Sequence, residues 1–364
     1  MRTFDDEMVQ VLTPDGTLLT EAAGVSDVDV LALYRDMTVV RRLDTESIAL
    51  QRQGEMGLWT SLRGQEAAQI GAGRALADHD MVFPSYREHG VAWCRNVEQT
   101  ALVNVWRGSV HGGWDAHTHN FAPYAIVIGA QTLHAVGYAM GVVRDGLVGT
   151  GDPSRDMAVM VFFGDGAMSQ GDVSEAFGWA ATQQLPVVFF CQNNQWAISA
   201  PSSVQSPVPL HRRALGYGFP GVRVDGNDVL ACLDVTRQAL DRARRGEGPT
   251  LIEAYTYRMN PHTTSDDARR YRSPEEEVGW LERDPIARVR RYLDGVATPA
   301  DRFAEIDEEA DKLAVRFRAE VQSIGDIGIG EVFDAVHHVP TPELLEQRAD
   351  AVSWLGSGTA EGGT

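Results

Sequence analysis

Basic side chains are in short supply, and lysine is almost absent. Thirty-two Lys and Arg residues face 51 Asp and Glu, a net charge of -19 with a pI near 4.9, and Lys312 is the only lysine. This excess of negative charge repels phosphate backbones and anionic headgroups, so neither nucleic acid nor a membrane is expected as a partner. Lys312 lies in a charged run over 307–318 that reads as a solvated helix. That leaves no candidate for a Schiff-base lysine, a pyridoxal anchor or a phosphate-loop lysine. Cys94, Cys191 and Cys232 are far apart and include no CxxC pair; they make neither a disulfide framework nor a zinc ribbon and are expected to be buried packing residues. The longest apolar runs, such as 185–191, fall well short of the roughly 18 residues of a membrane span. The first ten residues carry Asp5, Asp6 and Glu7 without an apolar core. They match neither a secretory signal nor an Arg-rich transit peptide, and a cytoplasmic location is expected.

What is present is a chain of 364 residues, 43% of them hydrophobic, long enough to hide roughly three quarters of its unfolded surface. An extended acidic arm over 1–26 contains the turn Thr13-Pro14-Asp15-Gly16. The apolar positions Leu31, Tyr34, Val40 and Leu43 predict a helix from Asp27 to about Arg52, and a second covers 64–77. Met81-Val82-Phe83 reads as a short strand that Pro84 ends, with a helix following to about Arg107. The stretch 111–123 is rich in Gly, His and Asn without periodicity, which predicts a long mobile loop. Its His111, Asp115, His117 and His119 fit a loop closing over a ligand better than a metal site. A buried helix over 129–143 follows.

The middle of the chain carries most information. Residues 158–163 are continuously apolar, 174–183 read as helix and 187–191 are apolar again; strand, helix and strand with doubly buried runs imply a parallel βαβ unit. A helix over 230–245 leads to a strand over 250–257. Ser273-Pro274-Glu275-Glu276 is a capping box with proline at the first helical position, and Thr298-Pro299 repeats the start signal. The expected division is the arm over 1–26, an α/β domain over 27–272, a helical extension over 273–356 and a frayed tail over 357–364.

Chemistry gathers where the two strands of the βαβ unit end. Gly164-Asp165-Gly166 closes the first and Asn193-Asn194 the second. Parallel neighbours joined by one helical crossover bring such ends to the same sheet edge, where open α/β sheets bind ligands, so Asp165 and Asn194 are expected to meet. A carboxylate and an amide oxygen suit Mg²⁺, which takes few protein ligands and completes its shell with water and phosphate oxygens. The glycines allow close approach to a bulky anion, and the start of the following helix offers free N–H groups. The combination reads as a metal-diphosphate site.

A GDG followed at this interval by paired asparagines resembles the thiamine-diphosphate enzymes. The whole stretch GDGAMSQGDVSEAFGWAATQQLPVVFFCQNNQWAIS is similar to the alpha subunit of the decarboxylating first component of 2-oxo acid dehydrogenase complexes, and the likeness runs from about Leu31 to Pro340. It implies a doubly wound, mostly parallel α/β sheet of the thiamine-diphosphate-binding kind with helical extensions at both ends. It also implies thiamine diphosphate and Mg²⁺, with Asp165, Asn194 and the Trp196 carbonyl as metal ligands and Gly164, Asp165, Gly166, Ala167 and Asn194 against the cofactor. SYREHG resembles the family's diphosphate-binding loop, which puts Tyr86 and Arg87 on the phosphates, and IVIGAQ resembles the stretch whose main chain holds the aminopyrimidine, at Ile126 and Ile128. TYRMNPHTTSDDARRYR resembles the active-site loop, with His262 as the active-site histidine, in contact with the cofactor, and Thr263 where mitochondrial relatives carry a regulatory phosphoserine.

The resemblance implies oxidative decarboxylation of a 2-oxo acid and transfer of the acyl group to a lipoyl-bearing acyltransferase. A separate beta subunit supplies the activating glutamate in an α₂β₂ assembly. TSDD is closer to branched-chain enzymes than to pyruvate enzymes, so a branched-chain 2-oxo acid such as 3-methyl-2-oxobutanoate is expected, with pyruvate or acetoin and a non-catalytic scaffold as alternatives. Gln192 departs from the basic residue that some branched-chain relatives carry there, which leaves the diphosphate one charge fewer.

Overall fold

The computed structural model describes residues 8–19, 27–108, 112–325, 328–334 and 336–358. Those up to 319 belong to one compact unit and those from 320 to a second. In the first unit five strands, β1 (Met81–Phe83), β2 (Val159–Gly164), β3 (Val187–Asn193), β4 (Gly221–Asp225) and β5 (Thr250–Tyr255), form an all-parallel sheet in the order β1-β2-β3-β5-β4. Helices α1 (Asp27–Arg52), α2 (Glu66–Ala75), α3 (His89–Cys94), α4 (Ala130–Arg144), α5 (Gly171–Thr182), α6 (Val229–Arg244), α7 (Pro285–Gly295) and α8 (Ala300–Ser323) supply most of the rest. In the second unit Ile329–Asp334 and Pro342–Gly358 are helical, with Arg348 Nε 3.3 Å from Asp334. Of the expected tail, Ser357 and Gly358 belong to that last helix, and 359–364 lie outside the described residues.

The apolar runs at 158–163 and 187–191 do form adjacent parallel strands, because alternate side chains serve opposite layers. Met160, Phe162, Val188, Phe190 and Ile252 join a core with α1, α2 and α6, whereas Val159, Val161, Phe163, Val187 and Phe189 join one with α4 and α5. Both faces are covered, as a doubly wound sheet requires. Cys94, Cys191 and Cys232 are free and buried, as expected. On the first layer α2 approaches α6 so closely that a Cβ on Gly71 would lie 2.7 Å from Cys232 Cβ.

Several local expectations are corrected. The helix expected to run to Arg107 is two, α3 and Gln99–Arg107, because Asn96 turns left-handed at φ 56 and sends Val97 inward. The stretch expected as a mobile loop contains a helix, Ala116–His119, capped by the Asp115 carboxylate, and buries Phe121 and Tyr124; His111 lies outside the described residues. β4, not anticipated from the sequence, alternates apolar with polar residues over only five positions, too short for its periodicity to stand out. Val9 of the arm bridges in parallel to Val224 and covers the outer edge of β4.

The second helix begins at Glu66, two residues later than expected, because Gly64 is left-handed at φ +97. A Cβ there would stand 2.2 Å from the Tyr257 carbonyl oxygen. Gly64→Ala therefore meets both backbone strain and backbone contact, and should cost about 2 kcal/mol or more of stability in urea unfolding; a loss under about 0.5 kcal/mol would contradict this geometry.

Candidate active site

The tips of β2 and β3 lie side by side, Gly164 opposite Gln192 in register. Beyond β2 the chain makes a 3₁₀ turn, Asp165–Ser169, before α5 opens at Gly171. The expected helix N-terminus therefore does not follow the GDG directly. Asp165 is 3% exposed; its Oδ2 accepts from Ser202 Oγ at 2.8 Å and Gln205 Nε2 at 3.4 Å. Burial pushes its carboxyl up from the usual aspartate range, against the Ser202 hydrogen bond. A hairpin of Trp196–Ala197 with Ala200–Pro201 folds back over the turn, and a Cβ on Gly166 would lie 2.8 Å from Ala197 Cβ. Close packing of this kind suits glycine. Ala167 beside it is buried.

The two asparagines divide their work. Asn193 Nδ2 donates to Glu253 at 2.7 Å, and its Oδ1 lies 3.1 Å from the same Ser202 hydroxyl that reaches Asp165. Asn194 donates to Gln65 Oε1 at 3.2 Å, while its Oδ1 accepts from Trp196 N at 3.3 Å. Ser202 thus links Asp165 to Asn193, and the Asn194 side chain turns to Gln65. Ser202 and Gln65 were not anticipated; a serine or glutamine in a loop carries no sequence signal of its own.

Tyr86, Arg87 and His262, 175 residues apart along the chain, come together. Arg87 Nη2 donates to the His262 carbonyl at 2.9 Å and lies 3.3 Å from Nδ1. Tyr86 Oη is 3.5 Å from Nε2. Arg258 joins from the end of β5: Nη1 lies 3.2 Å from His262 Nδ1 and donates to the Trp196 carbonyl at 2.8 Å, and Nη2 donates to the Ile198 carbonyl at 2.8 Å. A guanidinium only donates, so Nδ1 accepts and the ring proton sits on Nε2. Burial, then the two arginines, push His262 down to about 3, and the imidazole is neutral. Asp266 accepts from the His262 backbone N–H at 2.8 Å and orients the loop.

Arg87 is 4% exposed and Arg258 fully buried, and among the described residues neither has a carboxylate within salt-bridge distance. Arg258 Nε has no partner at all. Two buried cations held by carbonyls and a neutral ring make a field suited to an anion. Burial and the neighbouring Arg87 lower Arg258 to about 10. Arg258 belongs to the stretch that resembles the active-site loop, but nothing in the sequence assigned it a role of its own.

Not every candidate converges. Ile126 and Ile128 are exposed, at 47% and 39%, on the stretch that enters α4, whose Gln131 donates to the Phe162 carbonyl near the end of β2. Gln192 is buried: its amide donates to Glu88 at 2.6 Å and accepts from Gln69 at 3.0 Å. No helix among the described residues is long and apolar enough to cross a membrane.

The sequence profile of the dehydrogenase E1 component family matches residues 34–322, and the chain belongs to that family. It is 46% identical over 353 residues to the 3-methyl-2-oxobutanoate dehydrogenase subunit alpha of Mycobacterium tuberculosis, covering 96% of this chain and 94% of the relative. It is 37% identical over 292 residues to the pyruvate dehydrogenase E1 component subunit alpha of Staphylococcus aureus, covering 79% and 77%.

His89, the first residue of α3, is buried, with Nε2 2.8 Å from the Thr60 carbonyl and Nδ1 2.7 Å from Tyr124 Oη, and burial pushes it down to about 3. It is neutral in the folded chain but charges near 6.5 when unfolded, so its contribution is present above about 6.5 and is lost as pH falls toward 3. Unfolding free energy should fall by up to about 1.4 kcal/mol per pH unit on its account. His89→Asn should flatten the acid limb of a denaturation series; an identical slope would refute the burial argument.

Proposed function

We propose that this chain is the alpha subunit of a 2-oxo acid dehydrogenase that decarboxylates branched-chain substrates such as 3-methyl-2-oxobutanoate. The observation that carries the reading is 46% identity over nearly the whole chain to an alpha subunit of that name; the uncompensated Arg87 and Arg258 give it a chemical basis. When bound, thiamine diphosphate supplies the nucleophilic carbon and the electron sink for decarboxylation. Arg87, Arg258 and Tyr86 would hold the diphosphate. Asp165, Asn194 and the Trp196 carbonyl would hold Mg²⁺; one lone pair of that carbonyl already accepts from Arg258, and a carbonyl has two. Gly164, Gly166 and Ala167 would let the diphosphate approach, and the main chain at Ile126 and Ile128 would meet the aminopyrimidine.

His262 carries its proton on Nε2, so that atom would donate a hydrogen bond to the substrate oxygen as charge develops there, an effect worth about 10²- to 10⁴-fold in rate. The chain works with a beta subunit as an α₂β₂ pair, passes the acyl group to a lipoyl-bearing acyltransferase and acts in the cytoplasm. The Staphylococcus relative favours pyruvate as a second reading.

Asp165→Asn should weaken binding of thiamine diphosphate in Mg²⁺ by more than tenfold, about 1.4 kcal/mol, because a charged oxygen ligand is lost. Unchanged affinity by titration would remove Asp165 from the metal site. The isolated chain should show no decarboxylation and should gain it with the beta subunit, with a higher specificity constant for 3-methyl-2-oxobutanoate than for pyruvate. The reverse order would favour the second reading, and an inert assembled complex would leave a scaffold.

A further inference from the structure

Both loops of the site hang on one short extended segment, 59–63. Trp59 and Thr264 are joined twice: Trp59 N donates to Thr264 Oγ1 at 2.9 Å, and Thr264 N donates to the Trp59 carbonyl at 3.0 Å. Asn260 Nδ2 donates to Ser61 Oγ at 2.8 Å and Met259 N to the Arg63 carbonyl at 3.1 Å. These four bonds hold the chain on both sides of His262. The other loop is tied to the same segment, since Arg87 Nη1 donates to the Ser61 carbonyl at 2.6 Å and Thr60 Oγ1 to the Tyr86 carbonyl at 2.9 Å.

The segment is itself anchored by one carboxylate. Asp44, on α1 and 3% exposed, accepts from Trp59 Nε1 at 2.8 Å, Ser61 Oγ at 2.6 Å and Leu62 N at 3.1 Å. Trp59, Ser61 and Leu62 are buried as well, and the Trp59 indole stacks on His89 with ring centroids 4.2 Å apart. We propose that Asp44 is a positioning residue: it fixes segment 59–63 to α1 and through it sets Arg87 and His262 against each other. Asp44 touches neither of them. Supporting partners of this kind act by holding the groups that meet a ligand, and losing one commonly weakens binding by about 10- to 100-fold.

The inference rests on the reading of Tyr86, Arg87 and His262 as a cofactor site, but its first test needs no cofactor. In the full chain assembled with its beta subunit and free of cofactor, Asp44→Leu keeps the branching at Cγ and removes every acceptor. Amide hydrogen exchange over 85–90 and 259–266 should rise about tenfold or more above wild type. Asp44→Asn, which keeps one acceptor oxygen, should restore most of the protection. If Asp44→Leu does not fold, Trp59→Phe, which removes one of the three donors to Asp44 and keeps an aromatic ring beside His89, decides the matter by the same readout. Thiamine diphosphate affinity in Mg²⁺ should fall about tenfold in whichever variant folds. Wild-type exchange in both loops overturns the proposal, and so does unchanged affinity where the wild type binds. Raised exchange in a chain whose wild type binds no thiamine diphosphate supports the positioning role and overturns the functional reading instead.

Discussion

The site is organised by the burial of two guanidiniums that have no carboxylate within salt-bridge distance among the described residues. Arg87 and Arg258 repel each other, and in a low-dielectric interior that repulsion is costly unless every N–H finds an acceptor. The chain supplies main-chain oxygens for this purpose: Ser61 and His262 for Arg87, Trp196 and Ile198 for Arg258. Carbonyls accept from the Nη groups of both side chains without cancelling the charge, while Arg258 Nε is left without a partner. The positive field is therefore left for a ligand, and the backbone of three separate segments must be held in place to maintain it.

Much of the surrounding structure follows from that demand. The left-handed turn at Gly64, the hairpin over Gly166 and the pair of hydrogen bonds between Trp59 and Thr264 all help to place main-chain groups. The His262 ring is a further acceptor, and its neutrality follows first from its burial and then from the same field, since two cations at Nδ1 make a third unfavourable. An imidazole kept neutral with its proton on Nε2 can donate a hydrogen bond from that atom without adding a third positive charge to the site.

Negative charge is kept at the next remove. Glu88 is tied to Ser85 and Gln192, Glu253 to His211 and Asn193, and Asp44 to Trp59 and Ser61. Each carboxylate holds a segment of the site's wall, and none makes a salt bridge to Arg87 or Arg258. With Gln192 in place of a basic residue, the contact to Glu88 is a neutral hydrogen bond, and the charge directed at the ligand comes from Arg87 and Arg258.

What the sequence by itself determined was the pattern of burial and the local turns. Apolar runs at 158–163 and 187–191 are too continuous for anything but doubly covered strands, and one crossover helix makes them parallel, which brings Asp165 and the Asn193-Asn194 pair to one edge. Those inferences need only side-chain period and chain connectivity. Strand β4 and the split at Asn96 escaped because five alternating residues, or one left-handed residue, leave little periodic signal. Only the tertiary structure decided that Ser202 joins Asp165 to Asn193 rather than Asn194, that Arg258 shares His262 with Arg87, and that Asp44 anchors both loops. Each of these depends on where hydrogen-bonding groups from distant parts of the chain meet, and sequence spacing carries no record of a contact across 205 residues, such as that of Trp59 with Thr264.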